Sequence, residues 1–147
     1  MEEKIQNLEF LEPAERMEAE KQLLQDNGIR VSHQRLLILD YLSRNHKHPS
    51  AETIFTDLKK IDPIISQATV YNTLKIFTGK NIVKELDFNL TSKRYEFAKD
   101  CHSHFICENC GKIIDLKDNN DYKIDELADY EIESVDITYR GLCPDCK

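Results

Sequence analysis

Two pairs of cysteines carry the most specific chemistry in this chain: Cys107-Glu-Asn-Cys110 and Cys143-Pro-Asp-Cys146. Two residues between paired thiols let both sulfurs reach one ion, and two such pairs suit a single tetrahedral zinc site. Four thiolates leave no open coordination position. The expected role is therefore structural, a staple closing the 32-residue segment 111–142 into a loop. Gly111 follows the first pair, where the backbone must turn beneath the sulfurs and a residue free of Cβ strain is needed. The competing reading is two redox pairs. A thioredoxin-like pair sits at a helix N-terminus after a strand, whereas only Lys147 follows the second pair here. For the fifth cysteine, Cys101, a thiol sensor, an extra ligand and an incidental residue all stay open.

A second group is His102-Ser103-His104. Alternate residues of a strand share a face, so both imidazoles point one way if this segment is extended. Asp115 lies on the run beyond the first cysteine pair and can face the same side. Imidazoles with a carboxylate form a harder donor set than thiolates and suit iron(II), manganese(II) or zinc. Two surface histidines on an edge strand fit the same spacing. His46 and His48 read as loop histidines and Glu96 as a solvated strand residue. No spacing rule joins His48 or Glu96 to the His102/His104 pair.

The elements that must hold these groups follow from periodicity and punctuation. Residues 1–16 are Glu-rich, with Pro13 as a break, and are expected as an acidic extension, a short helix or a disordered segment. Met17–Asn27 is helical in character, with Gly28 as its C-cap. Ser32, Ser50 and Ser66 are N-caps for three helices. The first carries Leu36, Leu39 and Leu42, and the second Ile54, Phe55 and Leu58. The third, QATVYNTLKIF, turns Val70, Leu74 and Phe77 inward and leaves Gln67, Ala68, Tyr71, Asn72 and Lys75 outside. Residues 82–86 and 93–97 read as strands of a hairpin turning at Asn89–Ser92. Helices followed by a hairpin are the order of a winged helix-turn-helix. Beyond it, HSHFIC and KIIDL flank the first cysteine pair as strands, 118–129 is acidic and expected to be helical, and a strand from Val135 leads to the second pair. The fold class is α+β, in three parts: the extension (1–17), a winged-helix domain (18–97) and a small α/β domain (98–147).

Charge supports that division. The chain of 147 residues carries a net −7, but residues 21–97 hold twelve basic and eight acidic side chains between two acidic flanks. A local basic patch, not whole-chain charge, attracts phosphate. No apolar run reaches membrane-spanning length, and the acidic N-terminus is not a secretory signal, so a cytoplasmic protein without membrane partners is expected.

The stretches Gly28-Ile-Arg-Val-Ser-His-Gln-Arg35, His48-Pro-Ser-Ala51, Ala68-Thr-Val-Tyr-Asn-Thr-Leu74 and His102-Ser-His-Phe-Ile-Cys-Glu-Asn-Cys-Gly-Lys112 resemble, in order and spacing, the ferric uptake regulator (Fur) family of metal-dependent repressors. The likeness covers roughly residues 18–147. It implies a homodimer that binds double-stranded promoter DNA, with no enzymatic activity and no small-molecule substrate. It also implies a regulatory metal between two domains, Fe2+ or Mn2+ with Zn2+ as a further candidate, beside the structural Zn2+. The ligands carried over are His48, Glu96, His102, His104 and Asp115. The implied DNA contacts are Tyr71 and Asn72 at the bases and Gln67, Thr69 and Lys75 at bases or phosphates. Lys93, Arg94 and Arg30 are implied at phosphates.

Two features bear on the signal. Asn72, and the lack of a histidine near Asp136, resemble the peroxide-responsive (PerR) branch. In that branch iron(II) splits peroxide and the oxidant attacks a ligand histidine, at positions matching His48 and His102. Glu96 resembles iron and zinc sensors instead, since the peroxide branch carries Asp there. The resemblance therefore implies a repressor responding to peroxide, or, alternatively, to iron or zinc availability. Two rivals of other classes are a zinc enzyme using His102, His104 and Asp115, and a zinc-ribbon interaction module without sequence-specific DNA binding.

Overall fold

The computed structural model describes residues 7–88, 90–98, 102–117, 123–132 and 135–147, in two compact units, 1–99 and 100–147. In the first unit, helix α1 spans Pro13–Asp26. Pro13 does not break the chain. It occupies the first turn, where its missing N–H costs nothing and its fixed φ suits the helix. The helix therefore starts four residues before the expected Met17. The segment ahead of it also packs inward: a 3-10 turn at Leu8–Phe10 buries Leu8 in the core, and Leu11 O accepts from Arg16 Nη1 of the helix at 2.9 Å. Gly28, at φ +68°, ends α1 in the left-handed conformation that glycine tolerates. Its N–H donates to Gln25 O, and that of Ile29 to Leu24 O, so orphaned carbonyls of the last turn are satisfied.

Helices α2 (His33–Arg44), α3 (Ala51–Lys59) and α4 (Gln67–Gly79) each begin at a serine. The side chains of Ser32, Ser50 and Ser66 accept from the backbone N–H three residues on, a cap worth about 1 kcal/mol each. One cluster buries Leu24, Ile38, Leu39, Leu42, Ile54, Leu58, Val70, Leu74 and Phe77, the faces that helical spacing assigns inward. Phe55, expected on that face, is only partly buried. Strands β1 (Val83–Leu86) and β2 (Arg94–Phe97) pair antiparallel, Val83 opposite Phe97 and Leu86 opposite Arg94. Val83, Tyr95 and Phe97 close the cluster from the sheet side. Asn89 of the expected turn lies outside the described residues.

Glu20, on α1, is buried and accepts a hydrogen bond from Ser43 Oγ at 3.2 Å. Burial, then the charge of Asp40, push its carboxyl up from 4.5 to about 7. The folded protein thus holds this proton longer than the unfolded chain does. Stability should fall as pH rises from about 4.5 to about 7 and then level off. Glu20→Gln removes the cost and is expected to stabilise the unit by about 2–3 kcal/mol at pH 8, with little effect near pH 4.5. Melting curves of both proteins across that range check this; a gap independent of pH would refute it.

In the second unit, β3 (Ser103–Cys107) is the centre of a three-stranded sheet. It pairs antiparallel with β4 (Ile113–Leu116) and parallel with β5 (Thr138–Gly141). The helix expected over 118–129 is not found in its described part. Residues 118–122 lie outside the described residues, and beyond them there is a single 3-10 turn at Asp125–Leu127. Ile124, Leu127 and Tyr130 are exposed, so a helix here has no face buried within its own chain. Short helices without such packing are marginal in water.

Candidate metal centres and the helix α4 surface

The first cysteine pair sits in the turn between β3 and β4. Cys107 N donates to Lys112 O and Gly111 N to Cys107 O, both at 2.9 Å, and Gly111 takes φ +73°. No atom lies within 4 Å of the position of an added Cβ, so glycine is required by the backbone angle rather than by space. The second pair follows β5. Parallel pairing sets Cys107 opposite Gly141, and Glu108 N donates to Gly141 O at 2.8 Å. Both pairs therefore reach the same end of the sheet despite their separation in sequence.

One Sγ from each of Cys107, Cys110, Cys143 and Cys146 lies within 4.8 Å of the others, and none of the four forms a disulfide. Cys110 and Cys143 sulfurs are 3.8 Å apart. Thiolates about 2.3 Å from a tetrahedral zinc are separated by about 3.8 Å, so the arrangement fits that ion. The backbone N–H groups of Cys110 and Cys143 pull the Cys107 thiol down to about 6, the latter donating at 3.4 Å. Burial, followed by the Cys146 thiol, pushes Cys143 up to about 12. An ion here supplies the charge that a second buried thiolate needs.

The remaining donors form a group in each unit. In the second, the imidazoles of His102 and His104 stand with centroids 4.5 Å apart. His104 faces Asp115 across the β3–β4 ladder. Asp115 Oδ1 lies 3.5 Å from His102 Nε2 and 3.4 Å from His104 Nε2. In the first unit, His48 and Glu96 are both buried, with Nε2 and Oε2 3.2 Å apart. Donors about 2.1 Å from one ion stand about 3.0–3.4 Å apart; the His48–Glu96 and His104–Asp115 pairs fall in that range and His102–Asp115 lies just beyond it.

His48 is held in an uncommon conformation. Its φ is +51°, a left-handed angle that non-glycine residues adopt rarely and often at functional positions. Two bonds hold this loop to β2: Arg94 Nη1 donates to His48 O at 3.1 Å, and Tyr95 N donates to Pro49 O at 2.9 Å. Glu96 is the next residue on that strand. Spacing rules do not join His48 to Glu96, which only the family resemblance put in one ligand set, and the supporting role of Arg94 escapes sequence reasoning altogether. Both contacts depend on how a loop docks against a strand more than forty residues away, and no local pattern encodes that. Cys101 lies outside the described residues. His46 contacts Glu9 instead of joining either group.

On α4, Gln67, Tyr71, Asn72 and Lys75 are exposed, with Ala68 beside them. Tyr71, 52% exposed, is not a core residue. Thr69 is half-buried and its hydroxyl meets that of Ser66 at 2.9 Å. Arg30 and Lys93 are exposed, and Lys93 also pairs with Glu85 at 2.6 Å. Arg94 is half-buried and turned toward the His48 carbonyl, rather than standing free on the wing.

Comparison with known proteins agrees with this architecture. The ferric uptake regulator family model matches residues 26–140. The peroxide-responsive repressor PerR of Staphylococcus saprophyticus is 39% identical over 128 residues, covering 84% of this chain and 86% of its own. Among solved structures, the Helicobacter pylori ferric uptake regulator Fur, described with three functional metal binding sites, superposes with TM-score 0.75 at 30% identity. That match covers 92% of this chain and 95% of the other. PerR from Streptococcus pyogenes, described in terms of peroxide sensing and gene regulation, matches with TM-score 0.52 at 33% identity over 89% and 92% of the chains. These relatives are regulators, and the zinc-enzyme reading has no counterpart among them. With the family model spanning most of its length and its cysteine and histidine groups in place, the chain belongs to the ferric uptake regulator family.

Proposed function

We propose that this protein is a homodimeric, cytoplasmic repressor that binds double-stranded promoter DNA when a regulatory metal is bound and releases it on exposure to peroxide. The observation that carries this reading is the division of donors. His48 and Glu96 belong to one compact unit, and His102, His104 and Asp115 to the other. Neither group alone fills a six-coordinate shell. An ion taking all five ligands crosslinks the units, and so sets the angle at which α4 of each protomer is presented to successive major grooves. Structural Zn2+ belongs in the four-cysteine site, and Fe2+ or Mn2+ in the five-ligand site.

On α4, Tyr71 and Asn72 are assigned to bases, with Gln67, Thr69 and Lys75 at bases or phosphates and Arg30 and Lys93 at phosphates. Arg94 is assigned to holding His48. Ile114, Ile124, Leu127, Tyr130, Ile132, Val135 and Tyr139 are exposed apolar residues of the second unit. A dimer face in that unit accounts for them.

Bound iron(II) supplies the one-electron reduction of peroxide. The chain supplies two oxidisable imidazoles, His48 and His102, and a carboxylate, Glu96, where the resemblance to the peroxide-responsive branch implies the shorter Asp. The test is DNA-binding anisotropy on zinc-loaded protein with its own promoter region. Iron(II) is loaded without oxygen and pulsed with dilute peroxide beside a manganese(II) control. Release from the iron form alone is expected. If both forms hold DNA and only chelation releases it, the second reading, a sensor of metal availability, replaces peroxide sensing; Glu96 favours that reading.

A further inference from the structure

Behind the His48 loop lies a groove of about 550 Å³ in the first unit, lined by Arg44, His46, Lys47 and Arg94 together with Tyr41 and Asp57. We propose that this groove binds a small phosphate-class oxyanion. The cations around it are not equally available. Arg44 is shared with Asp40 at 2.5 Å, and His46 contacts Glu9. Lys47 is exposed, and no ion pair engages its ammonium among the described residues. Arg94 uses Nη1 on the His48 carbonyl, while its Nε–H is enclosed with no acceptor among the described residues.

An enclosed donor without an acceptor is rare and costly, and a guanidinium fork matches the paired oxygens of a phosphate. A small turn of the Arg94 side chain opens that edge to an anion in the groove. The one carboxylate on the wall, Asp57, is already engaged: it accepts from the Tyr41 hydroxyl at 2.7 Å and from Lys60 at 3.1 Å. Thr53, in the first turn of α3, also lines the groove; its N–H is held by the Ser50 cap and its hydroxyl meets that of Ser50 at 3.0 Å. A guanidinium with an unused edge and an exposed ammonium, whose charge is felt by Asp57, thus line one concavity, in a chain whose net charge is negative.

The test is 15N-detected titration of the zinc-loaded protein with inorganic phosphate, at constant ionic strength against a chloride control. The Arg94 Nε–H resonance reports directly on the fork. Saturable shifts at Arg94 Nε–H and at the Lys47 and Thr53 amides are expected. Lys47→Ala, an exposed position, should weaken binding about three- to fivefold without moving the melting temperature. Arg94→Lys should abolish saturation, because it keeps the charge and loses the fork. A parallel arm uses a non-operator DNA duplex in place of phosphate. Shifts with the duplex alone overturn the proposal and assign the groove to the DNA backbone. Shifts that do not saturate, or that Lys47→Ala leaves unchanged, also overturn it. None of these readouts requires a regulatory metal, so the outcome is independent of the function proposed above.

Discussion

Removing zinc with a chelator, or replacing Cys143 with alanine, is expected to unfold residues 100–147 while leaving the helical unit folded. The two units differ sharply in what holds them. The eighteen residues of the main hydrophobic cluster all belong to the first unit. In the second, the buried apolar residues among those described are Ile106, Cys107 and Cys143, two of them members of the four-cysteine group. A domain of about fifty residues rarely has enough core to fold without a staple. Structural zinc contributes on the order of 10 kcal/mol to the folding of small zinc domains at neutral pH. The parallel β3–β5 ladder is the element at risk, because it closes a long loop and depends on both cysteine pairs meeting. Hydrogen exchange checks this: protection at His104 N and Glu108 N, which donate to Ile137 O and Gly141 O, should fall to near that of an unfolded chain. Protection at Ile38, Leu39 and Leu74 should persist. Retained β3 and β5 protection with all four thiols open to alkylation would remove zinc as the staple.

The second large effect is expected from paired substitutions in the two histidine and carboxylate groups. His104→Ala takes a donor from the second unit. In the first, His48→Asn is the better variant than alanine. At φ +51° an alanine adds backbone strain, whereas asparagine adopts the left-handed region readily. Changing even the neighbours that orient metal ligands costs 10–100-fold in affinity, so losing a ligand should weaken Mn2+ binding by at least about 100-fold. If that ion links the units, DNA affinity at a fixed Mn2+ concentration should fall with it, by about 5- to 150-fold, the usual span of coupling between sites. Calorimetry for the metal and anisotropy for the DNA, on the same preparations, decide it. A loss with His104→Ala and none with His48→Asn would place the ion in the second unit alone and end the bridging reading. A loss of metal binding with DNA affinity intact would leave the site without a regulatory role.

Much of this architecture is readable from single elements. Ser32, Ser50 and Ser66 are caps because a side-chain oxygen reaches an N–H three residues ahead, and that reach is a property of one turn of chain. The inward faces of α2 and α4 follow from 3.6-residue periodicity, and the shared face of His102 and His104 from the two-residue repeat of a strand. The cysteine pairs announce a metal because a two-residue spacing already brings two sulfurs within reach of one ion. All these rules act over a few residues. The misreadings arise where local and tertiary preferences part. Pro13 reads as a breaker or as a first-turn residue depending on which side the helix forms. The acidic run reads as a helix, but its described part, from residue 123, shows no face covered within this chain.

What the amino-acid order determined by itself was the identity of the donor groups, the helices and hairpin that carry them, and the likeness to a family of regulators. Tertiary structure decided how the donors that motif and resemblance had grouped are brought together. Docking the His48 loop on β2 pairs that histidine with Glu96 and gives Arg94 its place. The parallel register of β3 and β5 brings Cys143 to Cys107. Such contacts join residues tens of positions apart, and closing those loops costs entropy that only the completed packing offsets. No short window of sequence therefore records them.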